Sequence, residues 1–183
     1  MVGDDAEGEI SRGAQHDDAG PARRGPNGRR RVPILGALTY CRVVEELGID
    51  AFDFWIGVWD CEFDGGHAVN TVSREFDGNV LTERFAMDVP QTWNGTSVSV
   101  FHPRLHVWQQ TWVDQGGAYW HFVGDLVDGD PAFATPEPVD EHRLFKRMVF
   151  SDVGADAFAW RWESSPDRAT WTENWAISYT RRS

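Results

Sequence analysis

Glu83 is the residue whose type and position in the sequence could do acid–base chemistry. It follows the turn-like dipeptide Asp77-Gly78 in the segment FDGNVLTERF. A carboxyl group enclosed by apolar side chains has a raised pKa and can act as a general acid or base near neutral pH. The alternative interpretation is a structural ion pair between Glu83 and Arg74 or Arg84, because ion pairs of this kind also form on hairpins.

The length of this turn determines which way Glu83 points. Side chains alternate between the two faces of a strand, so a two-residue turn at Asp77-Gly78 places Glu83 on the same face as Asn70 and Val72. A three-residue turn would place Glu83 with Ser73 instead. The sequence leaves both registers open.

A second feature is the segment LHVWQQTWVD, residues 105–114, which alternates between two kinds of side chain. A period of two puts its indole rings and one carboxamide on a single face of a strand. Such a face either fills a core or contacts a ligand, and we expect core packing to account for most of the indoles. The candidate ligand-binding residues are Asn70, Trp108, Gln110, Trp112, Trp160 and Trp162.

Histidines could also supply acid–base or metal chemistry. We take His121 as a second candidate catalytic residue beside Glu83. His102 and His106 lie four residues apart, but Pro103 predicts a turn between them, whereas this spacing forms a metal site on a helix. We therefore predict neither a bound metal nor a cofactor.

The composition narrows the class of partner and the cellular compartment. The 183-residue chain has a formal net charge of -12, which disfavours nucleic acid and anionic membrane surfaces as partners. Two cysteines without metal-type spacing indicate reduced thiols and a cytoplasmic location. The N-terminal sequence MVGDDAEGEI does not resemble a secretory signal, and no segment is long and apolar enough to form a transmembrane helix. Nothing in the sequence excludes a homodimer.

The chain divides into three predicted parts. Residues 1–31 are rich in Asp, Gly, Ala, Arg and Pro, which predicts a disordered tail. Residues 32–50 predict a short helix that caps the following domain, because apolar residues recur at helical spacing up to Gly48. Residues 51–183 predict one all-β domain of about nine strands separated by turn clusters. A proline-rich segment, residues 128–141, is expected to form a loop over one end of this domain.

Tight turns between successive strands favour a closed antiparallel barrel over a Greek-key sandwich, which would need more long crossovers. Closure also removes exposed sheet edges. The strands are expected near residues 58–63, 68–76, 80–87, 96–102, 105–114, 118–126, 143–151, 157–164 and 172–181.

Several spaced motifs occur in a characteristic order between about residues 52 and 182. They are FDFWIGVWDCEF at 52–63, FDGNVLTERF at 76–85, NGTSVSVFHP at 94–103, WQQTWVD at 108–114 and WESSPDRATW at 162–171. Together they resemble a bacterial lipocalin-like family of largely unknown function, whose members are calycin-type β-barrels with a central ligand cavity. The family pattern has an Asn before the Asp-Gly hairpin and a Glu after it, matched by Asn70 and Glu83. Distant barrel relatives bind haem through a histidine, for which His121 would be the candidate.

The resemblance and the residues together predict a cavity that holds a small hydrophobic or aromatic molecule. One hypothesis is a cofactor-independent enzyme of bacterial secondary metabolism, of cyclase, isomerase or hydratase type, with Glu83 or His121 transferring a proton. The alternative is a non-catalytic carrier or binding protein for the same kind of ligand.

Overall fold

The structure, a computed structural model, describes residues 47–183, and this part of the chain is almost entirely β. A single turn of 3-10 helix, Asp53–Trp55, precedes the first strand. The ten strands are β1 (Gly57–Phe63), β2 (Gly66–Glu75), β3 (Val80–Val89), β4 (Trp93–His102), β5 (Val107–Asp114), β6 (Tyr119–Val127), β7 (Asp130–Ala134), β8 (Phe145–Ser151), β9 (Ala157–Ser165) and β10 (Thr172–Arg181).

The strands form a closed antiparallel barrel. Each strand pairs with its neighbours in sequence, and β10 pairs with β1 to close the sheet. The predicted all-β barrel is therefore confirmed, but it has ten strands rather than nine. Sequential hairpins explain this topology, because strands joined by tight turns pair with each other before any distant partner is available.

The missed strand is β7, which lies inside the segment that the sequence predicted to be a loop. Prolines in that segment argue against a strand, because proline cannot donate a hydrogen bond. Pro131 is tolerated because it lies next to the turn into β7, and pairing between β7 and β8 begins only at Ala132. The strand itself contributes Phe133, which is fully buried.

The register between β2 and β3 is the one expected for a two-residue turn at Asp77-Gly78. Glu75 pairs with Val80 and Val72 with Glu83, although residues 76–78 form a turn of 3-10 helix. Asp77 has a φ of 57°, in the left-handed region that aspartate tolerates better than most residues. As a result Glu83 shares the inner face of the sheet with Asn70.

Aromatic side chains close one end of the barrel. Phe52 stacks on Phe133, with ring centroids 4.4 Å apart, and meets Trp108 edge-on at 5.4 Å. Trp108 Nε1 donates a 2.9 Å hydrogen bond to the carbonyl oxygen of Gly48. We call this group, completed by Trp55 and Phe150, the aromatic plug; all five rings are at most 1% exposed. The segment that enters β1 therefore covers this end.

The predicted helix over 32–50 falls almost entirely outside the described residues, as does the predicted tail over 1–31. The last four positions of that segment, residues 47–50, are described: Leu47 and Gly48 have no regular secondary structure, and Ile49 and Asp50 lie in a turn. Between residues 47 and 183, no helix has the length and apolar character required to cross a bilayer.

Candidate functional site

A cavity of about 240 Å³ lies inside the barrel, toward the end opposite the aromatic plug. Its lining residues come from seven strands. They are Glu83, Phe85, Trp93, Trp112, Asp114, Trp120, Phe122, Met148, Trp160, Trp162, Trp175, Ile177 and Tyr179. All six of the tryptophans are partly exposed, which shows that the cavity opens to solvent at this end.

Seven of these aromatic rings form a chain around the opening, which we call the aromatic collar. It consists of Trp112, Trp93, Phe85, Trp175, Trp160, Trp162 and Trp120 in spatial order, with successive ring centroids 5.8, 5.9, 6.0, 5.7, 6.3 and 5.3 Å apart. Trp112 and Trp120 are direct partners across β5 and β6, so the two ends of the chain of rings meet on the sheet. Trp120 and Trp162 stack across the lumen with only 6° between their planes.

A glycine and an aspartate hold one ring of the collar in place. A Cβ atom at Gly95 would lie 2.1 Å from Trp112 Cζ2, so only glycine lets this indole lie flat against β4. Trp112 Nε1 donates a 3.0 Å hydrogen bond to Asp114 Oδ2. Asp114 Oδ1 accepts a hydrogen bond from the backbone N–H of Gly116, which ties the same side chain to the β5–β6 turn. The orientation of Trp112 therefore depends on groups from two strands and a turn.

Glu83 is the acid at the inner end of the cavity, and it is held by two neutral donors. Asn70 Nδ2 donates to Glu83 Oε1 at 2.8 Å, and Ser97 Oγ lies 2.6 Å from Glu83 Oε2. Arg74 instead pairs with Asp53, and Arg84 lies on the exposed outer face of β3. The structure thus places Glu83 inside the barrel rather than in the ion pair that the sequence left open.

Burial raises the pKa of Glu83 from 4.5 to about 7, and the hydrogen bonds from Ser97 and Asn70 act in the opposite direction. Burial is the larger effect because the ionised carboxylate loses its hydration, which two neutral hydrogen bonds only partly replace. At neutral pH Glu83 is consequently present in both its protonated and its ionised form, which is the condition for a general acid or base.

Tyr179, on β10, joins the polar side chains that surround Glu83. Asn70 Nδ2 lies 3.4 Å from the Tyr179 hydroxyl oxygen, and Tyr179 also lines the cavity. Burial raises the pKa of Tyr179 well above its ordinary value, so its hydroxyl stays protonated. Sequence reasoning missed Tyr179 and Ser97. Ser97 lies in the motif NGTSVSVFHP, but only the pairing of β3 with β4 brings it to Glu83.

The other predicted ligand-binding residues separate into two groups. Trp112, Trp160 and Trp162 line the cavity, as does Glu83. Asn70 is fully buried and reaches the cavity through its hydrogen bond to Glu83. Gln110 is buried as well and donates a 2.9 Å hydrogen bond to Ser99, but it does not line the cavity.

Trp108 and His121 are not brought to the cavity. Trp108 belongs to the aromatic plug. His121 is exposed on the outer face of β6, because its neighbours Trp120 and Phe122 occupy the inner face and side chains alternate along a strand. The sheet therefore separates His121 from Glu83.

Neither a metal site nor a lid is found at the opening within residues 47–183. Within the described range no group of three or more His, Cys, Asp or Glu side chains could hold a metal ion. The connection between β7 and β8, residues 135–144, lies at the same end of the barrel as the opening, but none of its residues lines the cavity. The role of this segment as a lid, predicted for 128–141, thus has no contact to support it.

The fold and the site define a class of protein: a closed ten-stranded antiparallel barrel, compatible with a lipocalin-like barrel, whose interior holds an aromatic cavity with one buried acid. No protein-family model matches this chain, and a search of curated proteins finds no match.

Proposed function

We propose that this protein is a lipocalin-like barrel that binds a small, mostly aromatic or hydrophobic metabolite and acts on it as a cofactor-independent acid–base enzyme. The single observation that carries the proposal is the position of Glu83, a buried carboxyl group with a pKa of about 7 that lines an aromatic cavity. Buried acids with shifted pKa values in clefts are typical of catalytic sites. Bacterial secondary metabolism is the setting that the family resemblance favours. The two cysteines without metal-type spacing favour a cytoplasmic location, and the net charge of -12 disfavours a role for nucleic acid or membrane.

The size of the cavity limits the ligand. A cavity of about 150 Å³ accepts a benzene ring, so 240 Å³ suits a molecule with one or two rings. The volume is below the range of about 300–1,000 Å³ that is common for larger ligands. A longer molecule could still extend through the open end past the aromatic collar.

The chemistry is a proton transfer within one bound molecule. Ionised Glu83 accepts a proton from a carbon or hydroxyl group of the ligand and returns it to a different atom of the same ligand, as an isomerase or cyclase requires. Tyr179 stays protonated and lines the same cavity, so its hydroxyl can donate a hydrogen bond to an oxygen on which charge develops. A positioned acid or base of this kind contributes about a hundredfold to ten-thousandfold in rate.

A non-catalytic carrier is the second candidate, and one observation favours it. Both oxygens of Glu83 already accept hydrogen bonds from the protein, one from Asn70 and one from Ser97. A carboxyl group satisfied in this way can orient a ligand without transferring a proton. The carrier hypothesis predicts the same ligand and no product.

The test begins with the ligand itself. Native mass spectrometry of the folded, purified protein would identify any molecule that copurifies with it. The purified molecule is then incubated with wild type, Glu83→Gln and the control Glu62→Gln, which neutralises an exposed glutamate on the outer face of β1. Glutamine keeps the shape of Glu83 and can still accept the hydrogen bond from Asn70.

For an enzyme, we expect Glu83→Gln to lower kcat by about a hundredfold or more while Glu62→Gln retains full turnover. Affinity for an uncharged ligand should change by less than about threefold, because the volume of the cavity stays the same. Unchanged turnover in Glu83→Gln would refute a catalytic role for this residue. Release of the unaltered ligand by all three proteins would establish the carrier instead.

A further inference from the structure

We infer that the ligand class is an organic cation: a compact ammonium or quaternary ammonium group attached to an apolar body, held within the aromatic collar. The inference rests on the proposed function, since it specifies the ligand of the same cavity. It goes beyond that proposal because an apolar cavity alone would select only for size and hydrophobicity.

The charges that line the cavity are all of one sign. Its ionisable lining residues are Glu83 at the inner end, Asp114 near the opening and the phenol Tyr179. Among the residues that the structure describes, no Lys, Arg or His lines this cavity. The nearby cations point away from it: Arg84 is exposed on the outer face, and Arg147 and Arg161 bind Glu163. An anionic ligand would therefore meet two carboxylates and, from the described part of the chain, no positive charge.

The aromatic collar supplies the complementary attraction. The face of an indole ring carries negative electrostatic potential, and a cation within about 6 Å of the ring centroid is attracted to it, most strongly by tryptophan. The rings of the collar differ in orientation: Trp160 and Trp162 are parallel within 5°, whereas Trp175 meets Trp160 edge-on at 87°. A cation in the cavity would therefore lie beside more than one of these rings. Several aromatic faces around one site are the arrangement that recognises quaternary ammonium groups.

The position of Asp114 reinforces this selectivity. Its side chain lines the cavity beside Trp112 and is fixed by hydrogen bonds from the Trp112 indole and from the backbone of Gly116. The carboxylate is thus held near the collar, and no cationic side chain within residues 47–183 forms an ion pair with it. A ligand cation is the group that would balance its charge.

A matched pair of probes tests the charge alone. Phenyltrimethylammonium and tert-butylbenzene have the same shape, and both are of a size that the cavity of about 240 Å³ accepts. Dissociation constants would be measured by quenching of tryptophan fluorescence and by NMR line broadening at pH 8, with benzoate as an anionic probe. The proteins are wild type, Glu83→Gln, Trp120→Leu and the control Glu62→Gln.

We expect wild type to bind phenyltrimethylammonium about tenfold more tightly than tert-butylbenzene and to bind benzoate most weakly. The ratio of the two dissociation constants should fall severalfold in Glu83→Gln and in Trp120→Leu, and stay constant in Glu62→Gln. Because each ratio is measured within one protein, a general loss of folding does not mimic the effect.

Equal or tighter binding of tert-butylbenzene would overturn the inference and leave the proposed apolar ligand standing. Preferential binding of benzoate would overturn it too. Failure of all three probes to bind wild type, each tested up to its limit of solubility, would overturn both the inference and the proposed function.

Discussion

The side-chain amide of Asn70 donates a 2.8 Å hydrogen bond to the carboxylate of Glu83, and this contact joins β2 to β3 inside the barrel. The two residues are two positions out of direct register, since Asn70 pairs with Phe85 and Glu83 pairs with Val72. Their side chains meet because both point inward. The bond orients the acid and favours its ionised form, while burial favours the protonated form.

The raised pKa of Glu83 should make the free energy of unfolding depend on pH. Between its unfolded value of 4.5 and its folded value of about 7, the folded protein binds more protons than the unfolded chain. This contribution to stability is complete below pH 4.5 and is lost as the pH rises to about 7, by about 3 kcal/mol at most. Urea unfolding at a series of pH values would measure it.

The matched variant for this measurement is Glu83→Gln, which cannot ionise. Its free energy of unfolding relative to wild type should increase as the pH rises from 4.5 to 7, because ionisation of Glu83 in the unfolded chain lowers the stability of wild type alone. Glu62→Gln should run parallel to wild type. A constant difference between wild type and Glu83→Gln across this range would contradict the assigned pKa.

Removal of one donor should raise the pKa of Glu83 further. Ser97 donates to Glu83 and lowers the pKa of its carboxyl group, so Ser97→Ala should shift the titration midpoint above 7. Carboxyl carbon chemical shifts in a protein labelled at glutamate would follow the titration. Ser73→Ala, which alters a serine on the outer face of β2, should leave the midpoint of Glu83 unchanged.

Gly95 should determine how far Trp112 extends into the cavity. Gly95→Ala places a methyl group 2.1 Å from the present position of Trp112 Cζ2, so the indole has to move. We expect a loss of about 1–3 kcal/mol in the free energy of unfolding, the usual cost of overpacking, and weaker binding of any ligand in the cavity. Gly154→Ala is the control, since its nearest neighbour would be an ordinary 3.4 Å away. Equal stability of the two variants would show that Trp112 can shift freely.

The thiol of Cys61 should react slowly in the folded protein. Burial raises its pKa from 9.0 to about 12, which lowers the thiolate fraction about a thousandfold. In a Cys41→Ser background Cys61 is the only thiol. Labelling with Ellman's reagent at pH 8 should therefore be at least about a thousandfold slower in buffer than in denaturant. Rapid labelling in buffer would indicate that the strand pair β1–β10 opens.

Arg181 should stabilise the covered end of the barrel through its planar guanidinium group. Nη1 donates a 3.0 Å hydrogen bond to the carbonyl oxygen of Ile56, and the group lies 4.2 Å from the centre of the Trp59 ring. Arg181→Lys keeps the charge but cannot make both contacts, so thermal unfolding should show a loss of about 1–2 kcal/mol. Arg104→Lys alters an exposed arginine and should cost less than about 0.5 kcal/mol. Similar effects of both substitutions would mean that the contacts of Arg181 contribute nothing.

The sequence by itself determined the class of fold and the inner face of several strands. Period-two alternation and turn residues are local signals, and they predicted hairpins that close into a barrel. They also placed Trp112, Trp160 and Trp162 on faces that turned out to line the cavity. The strand β7 escaped this reasoning because Pro131, with Pro136 and Pro138 close behind it, is a local signal against a strand, and the pairing that outweighs this signal involves distant residues.

Only the tertiary structure decided which polar groups meet. Ser97 and Tyr179 reach the neighbourhood of Glu83 through the pairing of β3 with β4 and the closure of β10 onto β1. Alternation along β6 means that His121 and Trp120 point to opposite faces of the sheet. Only the register of β6 in the barrel decides that His121 is the residue on the outer face. Trp108 and Trp112 lie on one face of one strand, yet the first fills the plug and the second lines the cavity. The two residues lie at different heights along the barrel axis. Which height is filled and which is open is decided by the packing of side chains across the lumen, and the order of residues in one strand does not show this packing.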